Sequence, residues 1–203
     1  FCRKDGYDVP LEIDLLLPRN APSNERAILY PEQLKRLFSN SETFSDTQYI
    51  NLFRFGVLTG MRPGELCGLK WSDYNGLTLN IQRAYNTHKM ITNGKNSSAR
   101  RTLYLGDLAK AVLADQRHKT AHLNSEWVFC NTSGGIATNG ALSVSWKPIR
   151  RALNSEATLY SLRHTFVSML QSGSGVSEHA IKSYVGHTKN MDTFGVYGHA
   201  IAS

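Results

Sequence analysis

Long apolar runs are missing from this 203-residue chain. Its most hydrophobic stretch, Tyr49 to Met61, is interrupted by Arg54 and Gly56 and is too short to span a bilayer, so no membrane-spanning segment is expected. Cysteine is scarce. Cys2, Cys67 and Cys130 are odd in number, far apart and outside any metal-ligand spacing, which argues against a disulfide framework and suits reduced thiols in a cytoplasm. No basic-then-apolar leader ending in small residues is visible either, so nothing in these residues points to export.

Common catalytic signatures are also absent. There is no glycine-rich phosphate loop, no dinucleotide-binding glycine fingerprint and no Gly-x-Ser-x-Gly elbow. His118 and His122 have the spacing of a metal pair but lack a third ligand. Carboxylates nowhere cluster as two magnesium ions would require, so neither a metal nor another cofactor is expected.

Positive charge is what the chain has. Lys and Arg number 23 against 16 Asp and Glu, a formal charge of +7. Such an excess favours a polyanionic partner, nucleic acid first and an anionic membrane surface second. A basic protein with no special target competes with both.

Residues 1–27 read as a linker or the tail of a preceding domain, punctuated by Pro10, Pro18 and Pro22 and lacking sustained periodicity. From Tyr30 the pattern turns helical: Pro31 suits a first helical position, and Leu34, Leu37 and Phe38 share a face. Residues 47–59 are apolar all round, which predicts a buried central helix ended by Gly60, with Pro63 opening a short one. Leu77, Leu79 and Ile81 then alternate with polar residues, Asn93-Gly94 signals a hairpin, and Leu103 and Leu105 alternate again. Helices are predicted over 107–122, 139–153 and 159–172, with a kink or boundary at Pro148 and short helical turns beyond Val176. The fold class is α+β: a mostly helical domain over 28–203 with a small three-stranded antiparallel sheet.

Basic residues in distinctive contexts are spread along this frame, with a tyrosine near the end. Arg62 lies in Thr59-Gly60-Met61-Arg62-Pro63-Gly64-Glu65-Leu66, and Lys95 sits beside the Asn93-Gly94 turn with Arg100-Arg101 after it. Arg163 lies in Tyr160-Ser161-Leu162-Arg163-His164-Thr165. Gly186-His187 and then Tyr197 follow. In order and context these residues resemble the tyrosine recombinase (phage integrase) family over about residues 30–203. Each string alone is common; five in the right order are specific.

The resemblance implies the catalytic domain of a site-specific recombinase, with Arg62 and Arg163 as the two arginines, Lys95 as the strand-turn lysine, His187 in the Gly-His motif and Tyr197 as nucleophile. It implies double-stranded DNA attachment sites as substrate, a homo-tetramer on DNA, accessory DNA-bending and directionality proteins, and a bacterial cytoplasm. The isolated fragment is expected to be a monomer. One position departs: Tyr160 stands where the family usually has histidine, and a phenol is a poor base at neutral pH. That leaves the general base to Tyr160, His164 or His187.

The residue types suit the chemistry on their own terms. A guanidinium stays ionised and donates two parallel hydrogen bonds to a phosphodiester. Lys95 can protonate the leaving 5′ oxygen. Glu65, one turn from Arg62, can hold its guanidinium. Arg100 and Arg101 suit contacts to the DNA backbone. A type IB topoisomerase-like enzyme, a catalytically impaired DNA-binding relative and a basic helical interaction domain are the competing readings.

Overall fold

Two prolines and a glycine divide the first half of the fold where their backbone chemistry demands. In the computed structural model, which describes residues 27–39, 44, 48–92, 100–172 and 177–186, α1 runs Pro31–Phe38 with proline in its first turn. The Gln33 side chain accepts the Tyr30 backbone N–H at 2.9 Å, satisfying one orphan donor of the helix start. Gln33 and Arg36 also donate to the carbonyls of Leu153 and Ala152, which docks α1 on a later helix end.

The second helix, α2 (Ile50–Thr59), buries eight of its ten residues. Its apolar residues surround the axis, so it can only be stable wrapped by neighbours, and it packs against two later helices. Gly60 ends it at φ +62° and closes the last turn by donating to the Gly56 carbonyl. Any other residue there would be strained, and a Cβ would run into the Phe166 ring. Pro63 opens α3 (Pro63–Cys67), whose Cys67 is wholly buried, its thiol pushed up to about 12 by that burial.

The strands differ from the expected sheet. β1 (Thr78–Ile81) pairs antiparallel with β4 (Arg101–Tyr104), while β2 (Ala84–Tyr85) pairs with β3 (Ile91–Thr92). Among the described residues this makes two separate two-stranded ladders, not one sheet of three. Arg83 lies between β1 and β2. Its side chain turns inward to the buried carboxylate of Asp73 and to the Gly68 carbonyl, so the chain between the two ladders is tied to the helical part of the fold.

Three helices follow: α4 (Asp107–Thr120), α5 (Asn139–Ala152) and α6 (Leu159–Ser172). Thr138 caps α5 by accepting the Ala141 N–H. Pro148 sits within α5 without ending it. The carbonyl it leaves without an intrahelical donor belongs to Val144, whose side chain is exposed, so water can reach that turn. Phe53 of α2 meets Trp146 of α5 edge-on at 5.0 Å, and the Trp146 indole donates to the Ala157 carbonyl. Residues Ser161 to Ser168 of α6 are all buried, Arg163 and His164 among them. A last helix, α7 (Glu178–Val185), stacks Tyr184 on Phe166 of α6 with ring centroids 5.5 Å apart. No helix among the described residues is long and apolar enough to cross a membrane.

Candidate active site

The end of α7 organises the site. The last carbonyls of a helix have no partner within it, and the helix dipole leaves that end partially negative. Here Gly186 adopts φ +70° and its N–H closes back on the carbonyls of Lys182 and Ser183. The next three carbonyls each take an arginine from a different element. Tyr184 accepts from Nε of Arg101 at 2.9 Å, Val185 from Arg163 at 2.6 Å and Gly186 from Arg62 at 2.9 Å. Arg62 and Arg163, expected to converge, therefore point at neighbouring atoms of one backbone turn.

Each guanidinium is set by a second contact. Arg163 also donates to the Gly60 carbonyl at 2.6 Å, so the end of α2 and the end of α7 are bridged by one planar fork. Its burial, followed by the charge of Arg62, pulls its pKa down to about 10, which leaves it ionised at neutral pH. Arg62 donates to Glu65 at 2.9 Å, and the other Glu65 oxygen accepts the Arg62 backbone N–H at 2.9 Å. The pair sits at the start of α3, where Gly64 lets the Tyr85 carbonyl of β2 approach within a distance any Cβ would forbid.

Arg101, read from sequence as a DNA-backbone contact, is placed otherwise. Its side chain is only 8% exposed and grips Glu65 through two parallel bonds of 3.0 and 2.9 Å while donating to Tyr184. Unlike Arg163, which donates to neutral carbonyls, Arg101 has both arms of its fork taken up by a carboxylate. The signal missing from sequence was its partner, Glu65, which is distant along the chain. Arg100 is exposed, as a backbone contact requires.

Tyr160 stands at the start of α6, 48% exposed, its ring 5.8 Å from that of the buried His164. With Glu156, Thr158 and Ser161 both line a cavity of about 460 Å³. Tyr160 precedes Arg163 by three residues in the first turn of α6. A second cleft, of about 420 Å³, shares Glu156 and Thr158 and lies between α5 and α6. Lys147, Arg150 and Arg151 line it, a basic group that sequence reasoning passed over although its spacing puts all three on one side of α5. Lys95, His187 and Tyr197 lie outside the described residues.

Glu65 makes the network sensitive to acid. Burial alone would raise its carboxyl, but the hydrogen bonds and charge of Arg101, and then the backbone N–H and charge of Arg62, hold it below its ordinary value of 4.5. A carboxyl depressed in the fold contributes stability that is complete above that ordinary value and fades as pH falls through the folded one. Melting temperature measured from pH 7 down to pH 3 should therefore show wild type well above Glu65→Gln at neutrality, with the gap closing below about pH 4.5. A constant gap would mean that the charge of Glu65 does not matter.

Comparison with known proteins gives the chain relatives in sequence and in fold. The family model described as Phage integrase family matches residues 27–203. The chain is 24% identical to a tyrosine recombinase XerC-like protein of Caldanaerobacter subterraneus subsp. tengcongensis, covering 91% of this chain and 57% of that one. It is 27% identical to the prophage integrase IntR of Escherichia coli (strain K12), over 86% of this chain and 49% of the relative. It thus spans about half the length of the curated relatives it matches. In fold it resembles the Tn1549 transposon integrase solved in complex with transposon right end DNA (TM-score 0.75, 19% identity, 98% of this chain and 68% of that one). The XerA recombinase is similar as well (TM-score 0.69, 22% identity, 95% and 64%).

Proposed function

This chain belongs to the phage integrase family, and from that premise we propose that it is the catalytic part of a tyrosine-type site-specific recombinase. In this reading residues 1–27 lead in from a preceding domain. The observation that carries the proposal is the convergence of Arg62 and Arg163 on adjacent carbonyls of one helix end. Two fixed guanidiniums at one spot suit a group whose negative charge grows during reaction.

The chemistry proceeds without metal or nucleotide. The phenol of Tyr197 loses its proton and its oxygen attacks the scissile phosphorus. The bond to the 5′ oxygen breaks, and that oxygen takes a proton from Lys95. The products are a 3′-phosphotyrosine ester and a free 5′ hydroxyl, an exchange of one ester for another that a DNA hydroxyl can reverse. Forming tyrosinate at pH 7 costs roughly 4 kcal/mol, which the arginine charges and His187 offset in part. Tyr160, exposed beside His164, serves as a hydrogen-bonding group at the phosphate, and the proton acceptor is His187 or His164.

Pairing of double-stranded attachment sites by four protomers, with accessory bending and directionality proteins, belongs to the same proposal, as does a monomeric state for the chain off DNA. The basic cleft of Lys147, Arg150 and Arg151 adjoins the Tyr160 cavity, so it can hold phosphates flanking the scissile one. Each such contact adds about 0.9 to the slope of log affinity against log salt. Lys147→Ala and Arg151→Ala should each flatten that slope by about 1, uniformly across DNA sequences, in fluorescence-anisotropy titrations. An unaltered slope would remove the cleft from the DNA path.

The deciding experiment offers the chain a pool of duplexes with randomised sequence around a 5′-bridging phosphorothiolate, whose leaving group cannot religate. A denaturation-resistant protein–DNA adduct is expected. DNA binding without any adduct would favour a catalytically impaired relative. Relaxation of plain supercoiled plasmid without paired sites would favour a type IB topoisomerase-like enzyme.

A further inference from the structure

Arg101 makes more contacts than a backbone-binding arginine needs. Its fork grips both oxygens of Glu65, opposite the bond that Glu65 makes to Arg62, and its Nε holds the Tyr184 carbonyl at the end of α7. Glu65 is thereby fixed from two sides: one carboxylate oriented by two guanidiniums has no freedom to rotate. Arg101 also stands at the start of β4, at the far end of the stretch that carries Lys95. The turn it ties down leads straight into Gly186 and the segment bearing His187 and Tyr197.

We infer that Arg101 is a positioning residue, the brace that fixes Glu65, and through it Arg62, while pinning the helix end from which the nucleophile's segment departs. The inference rests on the recombinase reading for its catalytic readout, but the brace itself is a property of the protein without DNA. It replaces the phosphate contact expected from sequence. The two roles differ in what lysine can do. A phosphate accepts Lys as a point charge, whereas a bidentate grip with a third donor from Nε has no lysine equivalent.

The test compares wild type with Arg101→Lys, and with Arg101→Gln as a second variant should the lysine form melt early. Single-turnover adduct formation on the phosphorothiolate duplex pool, at saturating DNA, should fall on the order of 10²-fold, the effect of a misplaced reacting group. DNA affinity and its salt slope should stay at wild-type values. By NMR the Glu65 carboxyl should titrate at higher pH in the variant, and backbone amides of residues 181–186 should exchange faster. Full adduct rate with unmoved Glu65 titration overturns the inference. So does a lower affinity and flatter salt slope with a normal rate at saturation, which is the behaviour of a phosphate contact. If wild type itself forms no adduct, the recombinase reading fails, and the Glu65 titration with α7 exchange still decides the brace: shifted values support it, unchanged values overturn it.

Discussion

Arg163→Ala should lower the rate of covalent adduct formation by at least about 10²–10³-fold, the loss typical of one preorganised donor to a developing oxyanion. The larger share of that loss comes from geometry as well as charge. Arg163 is 2% exposed and spans from the Gly60 carbonyl to the Val185 carbonyl, so removing it unlinks the ends of α2 and α7. Each carbonyl left unsatisfied in that interior costs about 1–3 kcal/mol of stability. The alanine variant should therefore melt earlier than wild type, and the rates must be compared where both are folded. Arg163→Lys separates the two effects. Its charge is kept, yet a single ammonium cannot hold two carbonyls in the plane of a fork, so its rate should resemble that of alanine. Wild-type turnover by the lysine variant would reduce Arg163 to a source of positive potential.

Tyr197→Phe should abolish the adduct outright while leaving DNA affinity and melting temperature at wild-type values. Only the phenol oxygen is removed, and with it the atom proposed to bond to phosphorus; the ring and every basic residue remain. Binding should be read by anisotropy and the adduct by denaturing gel on the phosphorothiolate pool. A residual adduct would mean that another side chain, such as Tyr160, attacks the phosphorus.

Much of this frame was legible along the chain because its determinants are local. Pro31 and Pro63 open helices and Gly60 closes one because fixed or positive φ angles are properties of single residues. The alternation of Leu79 and Ile81 gave β1, and that of Leu103 gave β4. Strand partnership was not legible in the same way. Which strand pairs with which is set by contacts between chain segments, β1 with β4 and β2 with β3, and not by the alternation within either one. The same limit applied at the site: Arg62, Glu65 and Arg163 were visible in their short contexts, but Arg101 looked like any exposed basic residue until Glu65 stood opposite it. Three helix carbonyls as a shared target leave no mark in sequence at all, because backbone atoms are the same at every residue.

The arginine cluster at the end of α7 also has a charge balance with a chemical meaning. Arg62 and Arg101 pair with one carboxylate, Glu65, and Arg163 joins them at the same helix end through carbonyls, so these four groups carry a surplus of two positive charges. A phosphodiester approached by a phenolate passes through a five-coordinate phosphorus bearing two negative charges. The unreacted diester, with one, leaves the cluster under-neutralised, and so does the phosphotyrosine product. Under the recombinase reading, the arginine cluster is electrically matched to the species halfway along the proposed reaction and to neither end of it, which would favour cutting and rejoining alike.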